Sequence, residues 1–119
     1  MPMRAGDCYT FIPDFALLGF NVVLSLNPRN DVALADRASL YLRKGEFKLC
    51  LEDCDDSLAI NANNGAALAL RDDIYRRERK FNLARADLTR ALIINPNNTF
   101  ALTTRGEVYR QQRAKEHLI

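Results

Sequence analysis

Tryptophan is absent from this 119-residue chain, histidine occurs once, and cysteine three times. A lone histidine at position 117 and three cysteines at spacings that suit no zinc site leave little from which to assemble a metal centre or an acid–base pair. No apolar run approaches the roughly 18 to 20 residues that a membrane span needs. The N-terminus lacks a basic segment followed by an apolar block and a small-residue cleavage site, so no secretory signal is expected. An odd cysteine count in such a chain fits a reducing compartment, the cytoplasm. The formal charge of +2 is too small to imply an electrostatic partner by itself. What remains is enough apolar residue for one packed domain.

The same residues return every 34 positions. Leu34, Leu68 and Leu102 form one series, Arg37, Arg71 and Arg105 another, and Tyr41, Tyr75 and Tyr109 a third. Asn27, Asn61 and Asn95 follow the same period, as do Asn30, Asn64 and Asn98. The chain is a tandem array, and its second unit reads Leu68, Arg71, Tyr75, Phe81, Ala84, Leu88, Ala91 and Pro96.

At this spacing the chain resembles the tetratricopeptide repeat family, over roughly residues 14 to 112. It departs in having leucine for the first-helix tryptophan and Asp72 where a small residue is usual. The resemblance implies an all-α superhelix of about five antiparallel helices, built as two complete repeats and two half repeats. It also implies a protein-binding module without a common chemistry, and hence no enzyme and no cofactor.

In chain order, residues 1–12 lack helical periodicity and are expected to be irregular. Pro13 suits a first helical position and Asp14 the positive end of a helix dipole. Ala16, Phe20, Val23 and Leu24 then form an apolar stripe, so 13–30 reads as the second helix of a half repeat. The complete repeats are 31–64 and 65–98, and 99–119 supplies the first helix of a third, to about Gln112 or onward as a cap. Asn30 or Asp31 caps the first of these helices. Gly45 allows the turn inside the first unit, whereas Arg79 at the same place predicts a different or strained turn. Tyr9, Phe11 and Ile12 could either cover the apolar face left by the missing helix or mimic a ligand.

Arg37 and Arg71 each have an aspartate sixteen residues on, Asp53 and Asp87, placed on the facing helix of the same unit. A guanidinium at a helix interface needs an acceptor, so structural ion pairs are expected there. Arg105 lacks that partner, because its position falls beyond Ile119. Cys50 and Cys54 replace Ala84 and Leu88 of the next unit, which makes them core residues rather than ligands; Cys8 is the more exposed thiol. Glu52, Asp53, Asp55 and Asp56 read as the solvated side of a second helix. Arg76, Arg77, Arg79 and Lys80 suit a helix C-terminus. With Glu78 interrupting them and no interleaved aromatics, nucleic-acid binding is the weaker reading.

By the resemblance, first helices line a concave surface. The residues placed there are Val32, Ala35, Ser39, Leu42 and Arg43, then Ala66, Ala69, Asp73, Arg76 and Arg77, then Phe100, Thr103, Glu107 and Arg110. Chaperone-binding members clamp a heat-shock protein's terminal carboxylate with lysine and asparagine on one first helix, asparagine on the next, then lysine and arginine. Here those places hold Ala35 and Ser39, Asp73, then Thr103 and Glu107, so that clamp is not expected. The expected ligand is a protein or peptide with a basic or apolar element at the centre and acidic groups near Arg76 and Arg110. The alternative is a structural segment of a larger array, or one self-associating through open ends.

Overall fold

The computed structural model describes residues 14–117. It is built from α1 (Phe15–Leu26), α2 (Asp31–Arg43), α3 (Phe47–Ile60), α4 (Gly65–Arg77), α5 (Phe81–Ile94) and α6 (Thr99–His117). Among the described residues there are six helices rather than about five, since each half repeat adds one to the four of the complete units. α6 runs past Gln112 to His117. Residues 1–13, with Pro13 and the segment carrying Tyr9, Phe11 and Ile12, lie outside the described residues.

The starts of α1, α2, α4 and α6 are set by side chains that accept otherwise orphaned backbone donors, whereas α3 and α5, after Glu46 and Lys80, have no side-chain cap. Asp14 accepts from Leu17 N at 3.0 Å, and Asn30, Asn64 and Asn98 accept from Ala33, Ala67 and Ala101 N, each at 3.0 Å. The ends of α1, α3 and α5 are uniform: Asn27, Asn61 and Asn95 accept from the backbone N–H two residues on, at 3.1 to 3.2 Å. Such Asx turns stop the helix and aim the chain at the next cap. Asp31 reinforces one corner, accepting from Asn61 Nδ2 at 3.1 Å and Asn64 Nδ2 at 3.0 Å. Those two amides hold its carboxyl below the ordinary range.

Within a unit, small residues let the helices approach. Ala38 and Cys50 are both 0% exposed, and Cys54 and Ile74 complete that cluster. In the next unit Leu68, Ala84, Leu88 and Val108 form the core. Both cysteines are free, and the Cys50 hydrogen bond, together with burial, pushes the Cys54 thiol upward. Full burial of each such aliphatic side chain contributes about 1.5–3 kcal/mol.

The units stack along one direction, giving extents of 56 × 35 × 21 Å. The radius of gyration is 17.2 Å, against about 13.5 Å for a compact domain of this length. First helices α2 and α4 touch, while second helices α3 and α5 splay apart. At that step the first helices α2 and α4 therefore lie on the inner side of the curve. Among the described residues no helix is long and apolar enough to cross a membrane, and no group of three metal-ligating side chains comes together.

Candidate functional site

The repeating arginines are held inside the scaffold. Arg37 donates through Nε and Nη2 to the two carboxylate oxygens of Asp53, both at 2.7 Å, and through Nη1 to Asn21 Oδ1 at 2.9 Å. Arg71 reaches Asp87 at 2.9 and 2.7 Å and Asp55 at 3.0 Å. Each planar fork thus ties its own first helix to the second helices on either side. Tyr41 and Tyr75 lie under the two guanidinium groups at 5.8 and 5.7 Å. Asp53 and Asp87 are buried, and their hydrogen bonds raise the guanidinium pKa of Arg37 and of Arg71 above the ordinary range. Of the acidic cluster on α3, Glu52 and Asp56 face solvent, Asp53 is buried in the clasp, and Asp55 is tied to Arg71.

On the inner side, Arg43, Arg77, Phe100, Thr103, Glu107 and Arg110 are exposed. Ser39, Leu42, Asp73 and Arg76 are half-buried at the same surface. Val32, Ala66 and Ala69 are open to solvent, but Ala35 is buried. The contact between α2 and α4 accounts for this difference, as α4 and α6 make no comparable contact.

The cations of this surface are mostly engaged. Arg77 donates to Asp73 at 2.9 Å and stacks over Phe47 at 5.0 Å, and Arg110 pairs with Glu107 one turn back. Arg76 donates Nε to Asp72 at 3.1 Å, across a single helical turn. Asp72 itself is 0% exposed, and burial pushes its carboxyl up to about 6 despite Arg76. The arrangement replaces a free basic rim by intrahelical pairs, and only Arg43 among these cations lacks an ion pair within the described residues. Asp72 as the acceptor was missed from sequence; its four-residue spacing to Arg76 was the available signal.

No family model matches the chain, and no curated protein matches it by sequence. Solved structures do. The first tetratricopeptide domain of Spaghetti (RPAP3), bound to an HSP90 peptide SRMEEVD, superposes with a TM-score of 0.77 at 25% identity over 82% of this chain and 79% of that one. The chain has the tetratricopeptide repeat fold. The first such domain of human RPAP3 gives a TM-score of 0.77 at 26% identity, covering 85% of this chain and 80% of its own. The Arabidopsis OM64 tetratricopeptide domain gives 0.75 at 22% identity over 80% and 78%. Leu34, Leu68, Arg37 and Arg71, which repeat in this array, are held inside the scaffold by packing or by a carboxylate.

Proposed function

We propose that this tetratricopeptide array is a protein-interaction module that docks a peptide on the inner face of α2, α4 and α6. The observation that carries the reading is the inner face itself. It is solvent-accessible, it offers Leu42 and Phe100 as apolar contacts, and it is free of the scaffold bonds that consume Arg37 and Arg71. A structural neighbour with the same fold holds an acidic peptide, SRMEEVD. In this chain Asp73 and Glu107 stand near the centre, and three of the four flanking cations are already matched by carboxylates on their own helix. The ligand favoured is therefore basic or apolar at its centre, and the carboxylate clamp is not part of the proposal.

The test is fluorescence anisotropy with SRMEEVD and a counterpart in which both glutamates and the terminal aspartate are lysine. The lysine peptide is expected to bind at least about tenfold tighter, and the Asp73→Lys, Glu107→Lys variant to reverse that order. Tighter binding of SRMEEVD by the native chain would sink the reading.

A second reading, a structural segment of a larger or self-associating array, is favoured by α1. Its sequence FALLGFNVVLSL is apolar on nearly every side, yet Phe15 is 75% and Leu26 82% exposed. A helix apolar all round ordinarily lies in an interior. Sedimentation over a hundredfold range of concentration separates self-association from a monomeric module.

A further inference from the structure

Two open recesses run along one side of α5 and α6. One, of about 390 Å³, is bordered by Arg85, Thr89, Ile93 and Tyr109; the other, of about 400 Å³, reaches from Arg79 and Lys80 to Gln112 and Lys115. Asn82 borders both. No carboxylate lines either recess, whereas Arg79, Lys80, Arg85, Arg90 and Lys115 all do; Lys80 reaches Glu78, which is not among the lining residues. Arg85 is half-buried, stacks over the Tyr109 ring at 4.6 Å, and among the described residues donates only to the neutral amide oxygen of Gln112.

The repeats themselves show what this side is shaped to receive. Leu102 and Tyr109 follow Leu68 and Tyr75 by one period, and α4 uses Leu68 and Tyr75 to pack against α5. Here Leu102 and Tyr109 are 46% and 48% exposed. Arg105 occupies the place of Arg37 and Arg71, each clasped by a second-helix aspartate. Arg105 is half-buried and has no ion pair or hydrogen bond among the described residues. A cation held at a helix interface without an acceptor is costly, and a carboxylate brought to it recovers that cost.

We infer that this side of α5 and α6 docks an acidic amphipathic helix, with an aspartate taking the bidentate place opposite Arg105. The two intact units specify the helix. α3 presents Cys50, Asp53, Cys54 and Ser57, and α5 presents Ala84, Asp87, Leu88 and Ala91, all buried. The occupant therefore has a small residue, an aspartate three positions on, an apolar residue next, and another small residue three further. Carboxylates on its flank meet Arg85, Arg90 and Lys115. A second copy of this chain offering α1 is a poor match, because Gly19 stands where α3 and α5 carry the aspartate.

The probe is a side-chain-stapled helix with the sequence of residues 46–61, Cys50 and Cys54 replaced by alanine, titrated against the full chain. It supplies Asp53 in register with Glu52, Asp55 and Asp56 on its flank. Binding is expected to weaken about 30-fold on Asp53→Asn in the peptide, and equally on Arg105→Gln in a chain whose helicity is unchanged. Arg43→Glu on the inner face should leave binding alone. The inference is overturned if the stapled helix does not bind, or binds with no dependence on Asp53 and Arg105. It also fails if the chain dimerises through this side, or accepts the peptide only after removal of residues 1–12.

Discussion

Residues 31–64 and 65–98 fold into the same helix pair with the same clasp, yet the second unit breaks two rules that the first obeys. Fully buried Ala38 becomes fully buried Asp72, and the turn glycine Gly45, at φ 78°, becomes Arg79, at φ 59°. The first exchange is answered one turn later by Arg76, which donates to the buried carboxylate. The second is absorbed as strain: Arg79 adopts the left-handed backbone of the glycine it replaces, which costs a residue with a Cβ about 1–2 kcal/mol. The difference teaches that a repeat tolerates either fault by storing energy: a buried carboxylate whose partner one turn away offsets only part of its desolvation, or a backbone held in the left-handed region.

The largest effect that tests the comparison lies in the clasps. Asp53→Ala leaves Arg37 with only the neutral Asn21, whereas Asp87→Ala leaves Arg71 still bonded to Asp55. Thermal unfolding should show a loss of about 3–5 kcal/mol for Asp53→Ala and less for Asp87→Ala. Replacing Arg37 and Asp53 together by leucine should cost less than Asp53→Ala alone. Equal losses in the two units would mean that Asp55 contributes nothing.

Asp72→Ala comes next, and its sign depends on pH. The carboxyl is raised from 3.8 to about 6 by burial, with Asp73 and Asp87 adding to the rise and Arg76 opposing it. A folded-state value above the unfolded one means that protonation favours the fold. The stability from this group is complete below about pH 4 and is lost as pH rises through 6. The span corresponds to at most about 3 kcal/mol. Asp72→Ala should therefore melt higher than the native chain at pH 8, by about 2 kcal/mol, with the advantage gone at pH 4. A constant difference across that range would contradict the assignment.

The smallest effect is at the turns. Arg79→Gly should stabilise by about 1 kcal/mol, and Gly45→Arg should cost a similar amount. Chemical denaturation of the pair resolves both.

Much of this fold was legible because one period carries several kinds of signal at once. Asn30, Asn64 and Asn98 mark helix starts, Gly45 a turn, and Leu34, Leu68 and Leu102 a register, so a misreading at one position is corrected by its two copies. The sixteen-residue step from Arg37 to Asp53 was readable for the same reason: it recurs. The inner face was harder. It is where the units differ, so no copy exists to check against. Arg76 and Arg110 read as free cations because a sequence shows charge but not whether a carboxylate one turn away is turned toward it. Ala35 read as open because its burial depends on how tightly α2 meets α4, a distance that periodicity does not encode.

The ladder of side-chain bonds never reaches far along the chain. Among the described residues the widest link, from Asn64 to Asp31, spans 33 positions, and the two clasps span 16. Every contact can form as soon as one unit and its neighbour have condensed, without waiting for the ends to meet. Folding should accordingly start in either complete unit and spread outward in the submillisecond-to-millisecond range of chains with local contacts. The same short reach means that a unit could be copied into or cut out of the array without severing any bond that skips over it.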